Sequence, residues 1–282
     1  LWILPSVVAA QTAMWVGATD NRWRTASNWS PAVVPDENTD VIINYVPGNN
    51  QCTLRNGAGV GKCKSLTIGT GATATVFTEN DGLFVYGNLT IGSNGTFTDD
   101  GGHLRVQGNW INNGVYTAGS ANRRVYFIGT NQTIGGSTST TFEKLYINSG
   151  SVVTLAQNIS ISNFIELDGT LDPTPSFFVT AGVNDINIKA GGELIVKAAT
   201  YSGNYSAGSA QNDANSSVIN YASTTVDQTI DPTETYEVLK ISGSMTKSLS
   251  ANTTINRDLL IQGGTLDLKT FTANRSSSGG SL

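Results

Sequence analysis

Residues 142–172 read FEKLYINSGSVVTLAQNISISNFIELDGTLD, and residues 236–267 read YEVLKISGSMTKSLSANTTINRDLLIQGGTLD. Both stretches begin with an aromatic residue, contain two apolar strands and end with Gly-Thr-Leu-Asp. The offset of 94 residues, from Leu145 to Leu239, holds without a gap through the first strand and into the second. The two stretches are therefore copies of one unit, and the chain is a tandem array.

The repeated unit extends upstream of these stretches. Residues 114–121 (GVYTAGSA) recur as residues 203–210 (GNYSAGSA), and Gln132-Thr-Ile recurs as Gln228-Thr-Ile. A weaker third copy begins at Cys63. Self-similarity of this kind is typical of stacked repeat architectures.

Short apolar strands and Gly- or Asn-containing corners fill most of the chain. Apolar residues alternate over short runs, as in residues 83–86, 104–106, 165–167, 194–196 and 259–261. Corner pairs such as Gly108-Asn109 tolerate positive φ. The composition agrees, with 31 Gly and 13% charged residues against about 25% in an average protein.

Strands this short can bury one apolar face in two ways. One is a sandwich of antiparallel hairpins, and the other is a parallel β-helix, in which each strand stacks on the strand one coil earlier. The repetition of whole segments favours the β-helix, because identical corners and inward side chains then form ladders. Corner Asn residues suit such stacking, each amide satisfying the next. We therefore predict an all-β fold, a right-handed, single-stranded parallel β-helix or solenoid.

The N-terminal segment is rich in tryptophan, with Trp15, Trp23 and Trp29 close together. A solenoid leaves the apolar cross-section of its terminal coil open and needs an atypical capping segment. We predict that residues 11–51 form this cap and lead into a first strand at residues 40–43. A Trp platform that stacks on sugar rings is the functional alternative. Residues 52–282 are then the β-helix repeats, which we expect to continue beyond this sequence.

Residues 1–10 (LWILPSVVAA) are similar to the end of a secretory signal, cleaved before Gln11. A first buried strand is the alternative. A signal would place the protein outside the cell or on its surface, where the pair Cys52 and Cys63 predicts one disulfide that closes a Gly-rich loop. No later stretch approaches the roughly 18 apolar residues of a transmembrane helix.

The charge balance argues against nucleic acid as a partner. The formal net charge is −5 and the pI is about 4.8. Arg123-Arg124 is the only notable basic pair. A nucleic-acid-binding domain normally carries a basic patch or stripe, so this class of partner is not expected.

Catalytic residues are weakly indicated. Hydrolysis of a glycoside needs two carboxylates, and Asp99 and Asp100, beside His103, are the best candidates. A solvated turn is the alternative, because adjacent strand residues point to opposite faces. The other acidic residues are scattered, and the match of Asp172 with Asp267 indicates a structural turn. Calcium at a turn is left open, and no other cofactor or metal is expected.

Two aromatic residues are candidates for carbohydrate contact. Tyr116 and Tyr205 occupy matching positions in the repeat. The alternative is that both belong to a ladder of aromatic side chains in the core. The loop at residues 207–217 is longer than its counterpart at residues 118–124, and such insertions often lie on the binding face.

Several motifs resemble large secreted surface proteins of the Bacteroidetes group and their β-helical repeats. These motifs are Trp15-x-Gly17, Trp23, Asn28-Trp29, Pro35, Asp40-Val-Ile-Ile, Gly108-Asn-Trp-x-Asn-Asn-Gly-x-Tyr116, Val125-x-Phe127-x-Gly129, Gln132-x-Ile134 and Phe142-x-x-Leu145-x-Ile147. Gln11, directly after the predicted cleavage site, is also similar to that group. The resemblance covers most of the chain and implies export, often by the type IX route, with adhesive or structural roles at the cell surface.

These features together predict a non-catalytic extracellular segment with a structural and adhesive role, which binds a polysaccharide or another surface protein. Two alternatives stay open. One is a polysaccharide lyase or hydrolase, which three or more carboxylates or cations converging in one groove would favour. The other is a fibre or tailspike-like module, which trimerisation would favour.

Overall fold

The computed structural model describes residues 11–44, 47–54, 59–71, 73–78, 82–119, 122–181, 186–205, 210–212 and 216–275. The chain is 53% strand and forms a parallel β-solenoid of about nine turns, as the repeats predicted. In these ranges the helical segments are two 3-10 turns, Ala26–Asn28 and Tyr201–Gly203. Neither they nor any other described segment is a helix long and apolar enough to cross a membrane. The predicted signal remnant at residues 1–10 lies outside the described residues.

The strands form four sheets that run along the solenoid. Sheet A contains, in spatial order, β2 (Trp29–Ser30), β1 (Gln11–Trp15), β3 (Thr39–Ile43), β6 (Ser65–Ile68), β9 (Leu89–Ile91), β12 (Trp110–Asn112), β15 (Asn131–Gly135), β17 (Val152–Leu155), β19 (Thr170–Asp172), β22 (Glu193–Val196), β24 (Val218–Tyr221), β26 (Tyr236–Ile241), β28 (Thr253–Ile261) and β30 (Ala273–Arg275). Sheet B contains β13 (Val115–Ala118), β10 (Gly95–Asp99), β7 (Ala74–Thr78) and β4 (Cys52–Leu54). Sheet C contains β23 (Ala210–Asn212), β21 (Ile186–Ile188), β18 (Ile159–Leu167), β16 (Thr140–Ile147), β14 (Arg124–Phe127), β11 (His103–Val106), β8 (Leu83–Val85) and β5 (Gly61–Cys63), with β20 (Val179–Ala181) also paired to β18. Sheet D contains β25 (Gln228–Ile230), β27 (Thr246–Leu249) and β29 (Thr265–Asp267).

Inward side chains form ladders because neighbouring strands pair in parallel and in register. In sheet A, Leu66 lies beside Leu89, and Leu89 lies beside Trp110. All three are fully buried. Burying one such side chain contributes on the order of 1.5–3 kcal/mol, so the ladders supply the main apolar stabilisation of the solenoid.

The predicted Gly-Asn corners stack on one another. The Asn88 Oδ1 atom accepts the backbone N–H of Asn109 at 2.8 Å, and the Asn109 Oδ1 atom accepts the backbone N–H of Thr133 at 2.8 Å. Each of these corner amides therefore bonds to the main chain of the next coil. The predicted bond between stacked amides is not the one that forms. A Cβ atom at Gly108 would lie 2.5 Å from the Gly87 carbonyl oxygen, so glycine is required for this close approach.

The two copies of the repeat have the same pairing but occupy different sheets. In the first copy, Val125 pairs with Leu145 and Leu145 with Ile165, all in sheet C. In the second copy, the corresponding strands β24, β26 and β28 pair in sheet A with the same register. The strands β15 and β17 of sheet A likewise correspond to β25 and β27 of sheet D. The second copy is therefore turned by one face about the solenoid axis.

One buried glutamine closes a corner in each copy. The Gln132 Nε2 atom donates to the carbonyl oxygens of Val106 at 2.9 Å and Gly108 at 2.6 Å, and its Oε1 atom accepts the Gly129 N–H at 2.6 Å. Gln228 makes the corresponding three bonds. Each side chain thus satisfies main-chain groups of two coils, which explains why Gln-Thr-Ile recurs in the sequence.

The three N-terminal tryptophans form a buried cluster. Trp29 lies between Trp15 and Trp23, with ring centroids 4.9 and 4.8 Å away in edge-to-face geometry. All three are at most 4% exposed. The Trp29 Nε1 atom donates to the Trp23 carbonyl oxygen at 2.6 Å. The rings are therefore interior packing, as the cap interpretation predicted, and the sugar-stacking alternative for them is wrong because their faces are covered.

The N-terminal segment also contributes strands to sheet A. Strand β1 pairs in parallel with β3, and the short β2 pairs with β1 in antiparallel orientation at the edge of the sheet. The sequence predicted residues 40–43 as the first strand. The first described strand is instead β1. Pro31 follows β2 directly and has no N–H to donate, which limits further pairing at this edge.

The predicted disulfide is absent, since Cys52 and Cys63 are both free and fully buried. Cys52 lies in sheet B beside Val76, whereas Cys63 lies in sheet C beside Val85. Each thiol occupies a place in an apolar ladder, where cysteine acts as a small hydrophobic residue. Burial raises the pKa of both thiols.

Candidate binding face

Outward side chains of sheet C form two rows across consecutive coils. The first row contains Phe84, Arg105, Tyr126, Tyr146 and Glu166, which are successive register partners. The second row contains His103, Arg124, Lys144 and Phe164. The rows follow from the strand pattern, because the residues between them, such as Leu104 and Val125, point into the core. Adjacent members of a row are about 4.8 Å apart in the pairing direction.

Within these rows, aromatic rings and cations contact each other. The rings of Tyr126 and Tyr146 are stacked, with centroids 4.6 Å apart and planes at 21°. The guanidinium of Arg105 lies 5.3 Å from the Tyr126 ring centroid, and that of Arg124 lies 5.8 Å from the Tyr146 ring centroid. These four side chains, all half-buried, are called the tyrosine–arginine face below.

The two arginines keep their charge without a carboxylate partner. Neither Arg105 nor Arg124 forms an ion pair with any carboxylate in the described ranges. The nearby Glu166 is instead 3.8 Å from Lys189. A hydrogen bond with Tyr126 and the proximity of Tyr146 raise the pKa of Arg124, and the charge of Glu166 adds to this without forming an ion pair. The face therefore presents two permanent positive charges on a protein whose net charge is −5.

His103 contributes little charge to this face at neutral pH. Its ring lies edge-on to Tyr126, with centroids 5.5 Å apart. Burial lowers the pKa of His103, and the charges of Arg124, Arg105 and Arg123 lower it further. The imidazole is therefore neutral at pH 7, and the arginines provide the cations.

The second copy of the repeat shows that the fold does not require this face. Its inward residues match those of the first copy, as Ile219 and Leu239 match Val125 and Leu145. Its outward residues do not match, because Asn220 and Lys240 stand where the first copy has Tyr126 and Tyr146. Val218 likewise replaces Arg124. The same scaffold thus forms without aromatic rings or an arginine at these positions.

The predicted acid pair does not form a catalytic arrangement. Asp99 is 1% exposed at the end of β10, and the Tyr116 hydroxyl donates to its Oδ2 atom at 3.3 Å. Asp100 is exposed at the following turn. The two carboxylates lie on opposite sides of the solenoid wall, because neighbouring residues of an extended chain point in opposite directions. The expectation of a paired site at Asp99 and Asp100 is therefore wrong.

Tyr205 is a core residue and Tyr116 is partly buried against the core, and neither forms a carbohydrate platform. The Tyr116 ring lies edge-on to Trp110 at 4.8 Å and also packs against Phe97. Tyr205 is 2% exposed, and its hydroxyl donates to the Ile195 carbonyl oxygen at 2.7 Å. Burial raises the pKa of both phenols. The structure thus confirms the core interpretation and contradicts the proposed sugar contact at these two positions.

The matched aspartates have the same local role in both copies. The Asp172 Oδ1 atom accepts the Thr174 N–H at 2.9 Å, and the Asp267 Oδ1 atom accepts the Lys269 N–H at 2.9 Å. These are Asx turns, as the repeat predicted. The residues that the structure describes contain no group of three or more His, Cys, Asp or Glu that could hold a metal ion. Most of the long loop at residues 207–217 lies outside them.

The tyrosine–arginine face is not evident in the sequence. Arg123-Arg124 stands out as a basic pair, but its neighbours cannot be assigned from sequence because Arg105, Tyr126 and Tyr146 are some twenty residues apart. The available signal was the outward position of each residue in an alternating strand. That signal becomes informative only when the register between coils is known.

The architecture defines the class of this protein as a parallel β-solenoid. Residues 14–126 match the model of a family described as a domain of unknown function (DUF8693). This match covers less than half of the chain and includes the Trp cluster and the strands that carry Arg105 and Arg124. No curated protein and no solved structure shows a significant match.

Proposed function

We propose that this chain is a non-catalytic structural and adhesive segment of a secreted or cell-surface protein, and that it binds polysaccharide through the tyrosine–arginine face. The observation that carries the proposal is the pair of stacked, half-buried rings of Tyr126 and Tyr146 on an outer face. The second copy of the repeat forms without them. Residues that a scaffold does not need for folding are candidates for recognition.

The chemistry of the face suits a sugar polymer. The stacked rings of Tyr126 and Tyr146 cover each other, so a sugar polymer meets their edges and hydroxyl groups. The phenols and the neighbouring arginines can hydrogen-bond to sugar oxygens. The rows run along the solenoid axis, so an extended polymer can contact several coils at once. The resemblance to secreted Bacteroidetes surface proteins supports the extracellular setting and export by the type IX route, which are part of the same proposal.

Retention in polysaccharide-containing native gels tests this function. We expect the wild-type chain to be retarded by at least one polysaccharide of a panel of acidic and neutral polymers. The double variant Tyr126→Asn/Tyr146→Asn should bind about tenfold or more weakly, because it removes two phenols that each contribute roughly 0.5–1.5 kcal/mol through a hydrogen bond to the polymer. Asn is a conservative choice because the second copy already carries Asn220 on the equivalent strand.

The matched control is Lys240→Asn, which changes the position of the second copy that is equivalent to Tyr146. It should bind as the wild type does, and urea unfolding should show both variants folded. Equal retention of the wild type and the Tyr126→Asn/Tyr146→Asn variant would contradict the proposed face. Release of sugar products from the polymer would contradict the non-catalytic role and favour the lyase or hydrolase alternative.

A further inference from the structure

We propose that the ligand of the tyrosine–arginine face is an acidic polysaccharide, whose carboxylate or sulfate groups bind Arg105 and Arg124 while its sugar hydroxyls hydrogen-bond to the phenols of Tyr126 and Tyr146. This inference rests on the proposed function and specifies its ligand. A neutral polymer would require only the rings and hydrogen-bonding groups. Two unpaired arginines beside the rings point to a ligand with anionic groups.

The two guanidinium groups lie in adjacent strands. Arg105 and Arg124 belong to β11 and β14, which pair in register, and each guanidinium stands over a tyrosine of the next strand. Arg124 hydrogen-bonds to Tyr126 and its Nε atom is buried, whereas contact with a ring face occupies none of the remaining N–H groups of either guanidinium. The planar fork of N–H donors matches the oxygen atoms of a carboxylate or sulfate. Each arginine can therefore contact a ring and an anion together.

The neighbouring carboxylates are already occupied. Glu166 lies near Lys189, and Glu143 accepts backbone N–H groups of Asn122 and Arg123. Lys144 is only 8% exposed and donates to the Asn122 Oδ1 atom at 2.6 Å, so it adds positive potential without direct access to a ligand. No described carboxylate is thus close enough to form an ion pair with Arg105 or Arg124, and an external anion can take that place.

The spacing of the face fits a polymer that runs along the axis. An extended chain in this direction meets a new coil about every 4.8 Å, which is close to the length of one sugar unit in an extended polysaccharide. Single-stranded nucleic acid also combines anions with stackable rings. Its bases, however, bind by stacking on open aromatic faces, whereas the faces of Tyr126 and Tyr146 cover each other. An acidic polysaccharide is therefore the favoured ligand.

Binding should be measured by affinity electrophoresis with polygalacturonate, dextran sulfate, uncharged dextran and an oligothymidylate, at low and high salt. We expect the wild type to bind one or both acidic polymers more tightly than dextran, and more weakly as salt rises. The variant Arg105→Gln/Arg124→Gln should lose about tenfold or more in affinity for the acidic polymer, because each charge-assisted hydrogen bond is a strong one. Preference for polygalacturonate or for dextran sulfate identifies the anionic group as carboxylate or sulfate.

The charge-matched control is Arg257→Gln/Lys269→Gln, which removes two positive charges near the other end of the solenoid and should leave binding unchanged. Equal binding of dextran and acidic polymers, with no effect of Arg105→Gln/Arg124→Gln, would overturn this inference and leave the proposed function intact. Absence of binding to every polysaccharide, or binding of the oligothymidylate alone, would overturn both.

Discussion

Replacing Trp29 with alanine should lower the free energy of unfolding by about 3–5 kcal/mol, the range for truncating a large buried aromatic residue. The ring is 2% exposed and lies edge-to-face between Trp15 and Trp23. Its removal opens a cavity at the N-terminal end of the solenoid and leaves the two remaining rings without their shared neighbour. Urea unfolding followed by circular dichroism measures the change.

Val33→Ala is the control for this experiment, because Val33 lies in the same segment and is 52% exposed. It should change the unfolding free energy by less than about 0.5 kcal/mol. A Trp29→Ala variant as stable as Val33→Ala would show that the Trp cluster does not stabilise the end of the solenoid.

Replacing Gln132 with alanine should cost about 3 kcal/mol or more. The change leaves a buried N–H group and two carbonyl oxygens without their partner, and each such group costs about 1–3 kcal/mol when water cannot replace it. Gln228→Ala should have an effect of similar size, because Gln228 makes the same three bonds to its own corner. Denaturant unfolding of each variant provides the comparison.

Gln107 is exposed and serves as the control, since Gln107→Ala removes the same side chain from a neighbouring corner without exposing a buried group. We expect almost no change in stability for it. If Gln132→Ala and Gln107→Ala unfolded at the same denaturant concentration, the corner glutamine would not hold the coils together.

Much of the architecture was predictable from local chemistry that repeats. The strands had to be short because Gly and Asn corners recur, and the copied segments indicated that each strand stacks on an equivalent one. The burial of Trp15, Trp23 and Trp29 followed from the open end that any solenoid must cover. The recurrence of Gln132-Thr-Ile as Gln228-Thr-Ile marked a position with a structural role before its three hydrogen bonds were known.

Other features depend on the length of each coil, which the sequence does not reveal directly. Register partners are 25 residues apart from Val41 to Leu66 but only 18 apart from Val153 to Leu171. A change of this size decides which residues become neighbours in adjacent coils. The neighbours in the tyrosine–arginine face could not be identified without these register offsets.

The incorrect site predictions have a common physical cause. Asp99, Tyr116 and Tyr205 are polar or amphipathic residues at inward positions, where a hydrogen bond to Tyr116 or to a carbonyl oxygen accompanies their burial. Cys52 and Cys63 are buried in two different sheets. Residue type suggested acid catalysis, sugar contact or a disulfide as candidate roles, whereas strand direction placed these side chains against or inside the core.

Hydroxyl-radical footprinting of the chain, with and without the polysaccharide that it retains, locates the bound polymer on the surface. We expect oxidation of Tyr126 and Tyr146 to fall when the polymer is added, while Met14, which is 49% exposed at the N-terminal end, and Leu268, which is 41% exposed near the other end, react as before. Protection at Met14 or Leu268 with unchanged oxidation of Tyr126 and Tyr146 would contradict the assignment of the tyrosine–arginine face as the binding surface.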